Sequence, residues 1–186
     1  MKLKKINAVL ALLSIMTMIL HIGYNIFSYL TMYYNPAMKF LTAIPFIVLT
    51  CIHAVLGMSL VFLSGDGTRL DLYPMRNRQT IIQRVSAALI FPLLIIHLRT
   101  FDFLKDLSEE KKWIAFVLVI LVQILFYGVV ISHAAVSCPK ALVTIGRLDS
   151  REKLKAIERI SFITGMVLFI TSVCAVIHGE IAIFIP

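Results

Sequence analysis

The stretch from Trp113 to Pro139 contains no Asp, Glu, Lys or Arg. As a helix rising about 1.5 Å per residue it is longer than the roughly 30 Å hydrocarbon core of a bilayer. Three further runs share this property: Ile6–Met38, Phe40–Gly65 and Ile160–Gly179. A fifth, Val85–Leu98, becomes a full span if it begins at Thr80 and holds Arg84 at the rim. No soluble fold uses five such runs, because each would need an apolar interior as large as itself. Composition agrees: 60% of the 186 residues are hydrophobic and mean hydropathy is +0.93. The expected fold is an all-α membrane protein forming a single bundle over 1–186, with helices near residues 6–32, 38–64, 80–104, 113–138 and 159–185.

The net charge of +8 is distributed unevenly. With the N-terminus in the cytoplasm, the inner segments hold Lys2, Lys4, Lys5, Arg69, Arg76, Arg78, Arg84, Lys140, Arg147, Arg151, Lys153, Lys155 and Arg159. The outer segments hold only Lys39, Arg99, Lys105, Lys111 and Lys112. This excess is the positive-inside pattern and sets the expected orientation. The basic charge is therefore a topology signal. No aromatic-basic platform accompanies it, which argues against nucleic acid as a partner. The start Met-Lys-Leu-Lys-Lys reads as the head of an uncleaved first helix, since the apolar run behind it is long and lacks an Ala-x-Ala site. Cys51, Cys138 and Cys174 fall in or beside apolar spans and read as small buried apolar residues. Gly65-Asp66-Gly67 is expected to stop the second helix, and Pro139 to bend or end the fourth. Gly146–Glu158 reads as a polar inner loop. Arg99 and Asp102 read as an interfacial ion pair.

The histidines carry the functional signal. There are five, one on each expected helix. An imidazole in hydrocarbon is a functional candidate by default, and a partner must be named for it. Depth at about 1.5 Å per residue sorts four of them into two layers. His21 and His97 fall toward the outside, His53 and His133 toward the inside, with roughly 10 Å between layers. His21 to His53 covers 32 positions and His97 to His133 covers 36. The helix directions match too, so the halves read as a parallel duplication. A single membrane histidine is more often a helix–helix hydrogen-bonding group. Four at matched depths point to two b haems, each with two axial imidazoles: an inner one on His53/His133 and an outer one on His21/His97. Gly57 and Ser137, one turn on from the inner pair, are expected to leave room for a flat macrocycle. Zinc fits less well, because the four imidazoles are spread over four helices. His178 joins neither layer. It reads as interfacial, or else as a proton site with Glu180.

Several short motifs resemble the cytochrome b membrane anchor of succinate:quinone oxidoreductases, the succinate dehydrogenases and fumarate reductases. Thr80-Ile-Ile-Gln83-Arg84-Val-Ser86-Ala87 is similar to that family's Ser-x-x-His-Arg-x-Ser-Gly segment. His133 followed by Ser137 and Gly146 is similar to its ligand His-x3-Gly segment and later glycine. His53-Ala-Val-Leu-Gly57-Met resembles a His-Ala-x-x-Gly-Met ligand motif, and Arg159-Ile-Ser-Phe-Ile-Thr the start of a last helix. Gln83 stands in place of a histidine, Ala87 and Ser137 in place of glycines, and Pro139-Lys140 in place of an Arg-His pair. The five-helix, four-histidine pattern resembles the di-haem branch. The resemblance implies a bacterial cytoplasmic membrane location. It also implies iron–sulfur and flavoprotein partner subunits on the cytoplasmic face and menaquinone as electron partner, with dicarboxylate chemistry on another chain. It further implies a quinone site near Thr80, Gln83, Arg84 and Ser86. The rival readings are a haem b anchor of another membrane oxidoreductase, and a small transporter or structural membrane protein with packed or proton-carrying histidines.

Overall fold

The computed structural model describes the backbone of residues 2–64, 74–105 and 112–184, and the side chains of 2–61, 78–100 and 113–182. The described residues form five α-helices: α1 Lys2–Thr31, α2 Pro36–Ser64, α3 Pro74–Lys105, α4 Lys112–Thr144 and α5 Arg151–Phe184. Each contains a segment long and apolar enough to cross a bilayer. The chain is a multi-pass, all-helical membrane protein. Its surface fits that solvent: Phe40, Leu41, Val55, Phe162 and Ile163 lie exposed along the helix flanks. In water such a belt would be an aggregation surface; against acyl chains it costs nothing. The Gly65–Gly67 stop and the Arg99–Asp102 pair involve positions outside the described residues.

The turns show why the helices begin and end where they do. Asn35 is the N-cap of α2: its Oδ1 accepts from the backbone N–H groups of Ala37 and Met38 at 3.0 and 3.4 Å. Pro36 follows at the first helical position, where its missing N–H is no loss. The Tyr24 hydroxyl clamps the same turn from α1, donating to the Asn35 carbonyl at 2.8 Å.

Two expectations at the other end of the bundle need correction. Pro139 does not end α4, which runs on to Thr144. The helix closes instead at Gly146, whose φ is +82°. Gly146 N–H donates to Val143 O and Arg147 N–H to Leu142 O, both at 3.0 Å. This is a Schellman closure, which favours glycine because a Cβ is strained in the left-handed region. The loop is also shorter than expected. Ser150 Oγ accepts from Lys153 N–H at 3.2 Å and starts α5 at Arg151. The charged segment 151–158 is helical, since a capped amphipathic turn satisfies more backbone groups than an open loop.

α1 and α4 form the centre of the bundle. α1 packs against α2, α4 and α5; α4 packs against α3, α5 and α1. Small side chains at one end, Ala8, Ala11 and Ala141, let helices approach closely. Larger ones fill the middle, among them Met18, Ile22, Leu93, Phe126, Val130 and Val176. α2 leans on α1 and α3 on α4, and the space between α2 and α3 holds the cavity described next. The starts of α1, α3 and α5 and the ends of α2 and α4 lie at one end of the bundle, here termed the basic end.

Candidate functional site

A cavity opens between α2 and α3, floored by α1 and α4. It has about 560 Å³ of empty space, part of it continuous with the surroundings. Most of its wall is apolar, from Met18, Phe46, Ile90, Phe91 and Val130. Two imidazoles face it, His53 of α2 and His133 of α4, within electrostatic range of each other.

Both rings are held from behind. His53 Nδ1 lies 2.9 Å from Asn7 Oδ1 and 3.3 Å from the Asn7 carbonyl oxygen. His133 Nδ1 lies 3.0 Å from the Gln83 carbonyl oxygen and 3.0 Å from Ser86 Oγ. A carbonyl only accepts, so Nδ1 carries the proton in both rings and Nε2 is the lone-pair nitrogen. Nε2 of His133 has one longer contact, 3.4 Å to Ser137 Oγ. This is the arrangement of a metal-binding imidazole, with the far N–H anchored on a protein acceptor.

Two more polar atoms point to an occupant. Ser14 Oγ and Thr50 Oγ1 are buried without a hydrogen-bond partner, and both residues line the cavity. A buried hydroxyl left unpaired costs about 1–3 kcal/mol. Among the described residues no three His, Cys, Asp or Glu side chains gather around a single point. His53 and His133 line the same cavity from different helices and are the residues that would hold a haem iron there. The residues present fit a b haem here. Gly57 does not supply the expected room. It faces α1, where an added Cβ would sit 3.7 Å from Asn7 Nδ2, and it is not part of the cavity wall. Ser137 is in the wall.

The segment resembling a quinone motif sits around His133. Ser86 and the Gln83 backbone hold the ring, while Gln83 Nε2 donates to Ser137 Oγ at 2.9 Å. Lys140 Nζ donates to Thr80 Oγ1 at 3.2 Å and Gln83 Oε1 at 3.0 Å. A continuous polar chain thus runs from an ammonium at the basic end to the His133 imidazole. Arg84 is also engaged.

The other two histidines have different surroundings. His21 Nδ1 lies 3.1 Å from Thr42 Oγ1, and Asn25 Nδ2 donates to His21 Nε2 at 3.2 Å. Both ring nitrogens are therefore used. Phe46 stacks on the ring with centroids 6.2 Å apart. His97 lies within electrostatic range of His21 and beside the Gln123 side chain. Phe126 stacks on it at 4.9 Å, with planes 22° apart. Aromatic side chains thus cover a face of each ring.

Beyond His21, toward the far end, is a buried acid. Glu180 is 3% exposed and accepts from the Tyr29 hydroxyl at 3.0 Å. Gly179 makes this possible: a Cβ there would collide with the Tyr29 ring. Asn25, beside His21, also reaches Tyr127. His178 does not join Glu180. It is exposed, because two positions along a helix turn a side chain by about 200°. The cysteines are free; Cys51 and Cys138 are half-buried and Cys174 is exposed, so none is the buried apolar filler expected.

Asn7, Asn25, Tyr29, Thr42 and Thr50 were not foreseen. Their only sequence signal is a polar residue inside an apolar run, which does not say what it meets. No protein-family model, no curated protein and no solved structure matches the chain.

Proposed function

We propose that this protein is a haem b membrane anchor. In this reading it links an iron–sulfur and flavoprotein dicarboxylate oxidoreductase on its basic, cytoplasmic face to menaquinone in a bacterial cytoplasmic membrane. One observation carries the reading: His53 and His133, from different helices, line one cavity of the helix bundle while protein acceptors hold their Nδ1–H groups, which leaves Nε2 as the lone-pair nitrogen of each ring.

A haem bound at two imidazoles supplies one-electron chemistry with little rearrangement of its ligands. The chain's own contribution is orientation and exclusion of water. Asn7 fixes one ring, Gln83 O and Ser86 fix the other. Met18, Phe46, Ile90 and Val130 keep the space between them apolar. His21 and His97 form the second ligand pair. Binding there requires Asn25 to release Nε2 of His21. In this reading quinone binds near Thr80, Gln83, Arg84 and Ser86, and Glu180 with Tyr29 is a buried proton site in the far half of the bundle.

The test is a reduced-minus-oxidised visible spectrum of the purified full chain, made with adequate haem supply, followed by haem quantitation. A b-type spectrum with two haems per chain is expected. Absence of b-type absorbance would leave a non-redox membrane protein whose histidines serve packing or proton transfer.

A further inference from the structure

We infer that Asn7 is a positioning residue for His53: its side-chain carbonyl locks the imidazole in the Nδ1–H tautomer and so turns the lone pair of Nε2 into the cavity. The role toward an iron rests on the haem reading above; the tautomer lock itself does not.

Asn7 stands in the apolar run of α1, in the second turn from the basic end. Its amide reaches across to α2 and meets His53 Nδ1 at 2.9 Å. The Asn7 backbone carbonyl, 3.3 Å from the same nitrogen, is a weaker partner because it also belongs to the α1 ladder. Gly57, one turn beyond His53 on α2, lies against the Asn7 amide, whose Nδ2 would be in ordinary contact, 3.7 Å, with an added Cβ. Asn7 itself is not in the cavity wall, whereas His53 is. The ring is thus held by one edge and offered by the other.

The same solution occurs independently on the opposite wall, where Gln83 O and Ser86 Oγ hold His133 Nδ1. The two differ in one respect. At His133 a backbone carbonyl, which substitution cannot remove, is as near as the side-chain partner, both at 3.0 Å; at His53 the side-chain oxygen is the nearer, 2.9 Å against 3.3 Å. An acceptor on Nδ1–H raises the basicity of Nε2 and favours the oxidised metal. Among the described residues Asn7 is therefore the side chain through which the electron-donating power of His53 is set. A helix–helix hydrogen bond to a carbonyl would fix the tautomer too, so only the dependence of a haem potential on Asn7 separates a positioning role from packing.

The experiment uses the full chain with ¹⁵N-labelled histidine, from cells unable to make haem, and reads the His53 ring nitrogens by NMR; the signal missing in His53→Gln assigns them. In the unsubstituted chain His53 should read as the Nδ1–H tautomer. Asn7→Leu, similar in size, should shift it toward Nε2–H, and Asn7→Asp, which keeps an acceptor oxygen, should preserve Nδ1–H. A His53 signal that is Nε2–H in the unsubstituted chain, or unchanged in Asn7→Leu, overturns the inference.

The second arm uses haem-loaded protein. Asn7→Leu should raise the midpoint potential of one haem and leave the other where it was; equal potentials before and after overturn the positioning role. Should the unsubstituted chain bind no haem, the anchor reading fails and the tautomer measurement alone decides for or against Asn7.

Discussion

The two histidine pairs look alike in sequence and differ in the folded molecule. His53 and His133 both line a cavity, each with Nδ1 held by a protein acceptor. His21 has both nitrogens engaged, and phenylalanines stack on it and on His97. The difference teaches that depth in the membrane is not enough to define a ligand. What matters is which ring edge the surroundings leave over. Asn7 and Gln83 O accept from Nδ1, and Nε2 of His133 keeps one long contact of 3.4 Å to Ser137 Oγ, whereas Asn25 donates to Nε2 of His21 at 3.2 Å.

The largest effect should come from the cavity pair. His53→Ala or His133→Ala removes one haem completely, read as a halved haem content by pyridine haemochrome assay. If either variant keeps its full complement, the contrast between the pairs is broken. His21→Ala and His97→Ala should each remove the other haem. Asn25→Leu frees His21 Nε2 and should leave the count unchanged. A full haem count in His21→Ala would mark that pair as packing only, and would sharpen the contrast into one of function.

A smaller effect tests the far end. Tyr29→Phe removes the hydroxyl that Glu180 accepts from and leaves a buried carboxylate short of a donor. The expected cost is about 1–3 kcal/mol, measured as a lower unfolding midpoint in detergent. Tyr29→Phe paired with Glu180→Leu should recover much of it, because removing both partners is milder than removing one.

The smallest effect lies at the basic end, outside the spans. Lys153 Nζ lies 2.8 Å from Asp149 Oδ1 in the turn between α4 and α5. The Lys153 hydrogen bond holds the Asp149 carboxyl below its usual range. A group depressed in the folded state stabilises above its unfolded pKa and loses that contribution as pH falls through the folded one. Both side chains are exposed, so the pair is screened. Lys153→Met should raise the Asp149 pKa toward the ordinary carboxylate value, seen by NMR titration, with no measurable change in unfolding midpoint. A clear loss of stability would show that this turn anchors the bundle more than its exposure suggests.

Much of the architecture was readable without coordinates. The five spans follow from uncharged length, since a backbone in hydrocarbon has no partner but itself and so must be helical. The start of α2 at Pro36, ahead of the expected position 38, rests on the Asn35 cap that the structure shows. The ends of α4 and the start of α5 were harder. Pro139 reads as a breaker, yet the helix passes it and stops at Gly146; which of two breakers acts depends on where the freed carbonyls find partners. The depth of each histidine was likewise a matter of counting residues.

Chain order and apolar length by themselves determined a helical membrane bundle and the level at which each imidazole sits, because helix rise is constant. Only the tertiary structure decided which face of each ring is covered, which nitrogen is held and where a cavity remains. Those depend on residues from other helices, Asn7 on His53, Asn25 on His21 and Gln83 on His133. Asn7 and His53 stand 46 positions apart, so no local pattern joins them.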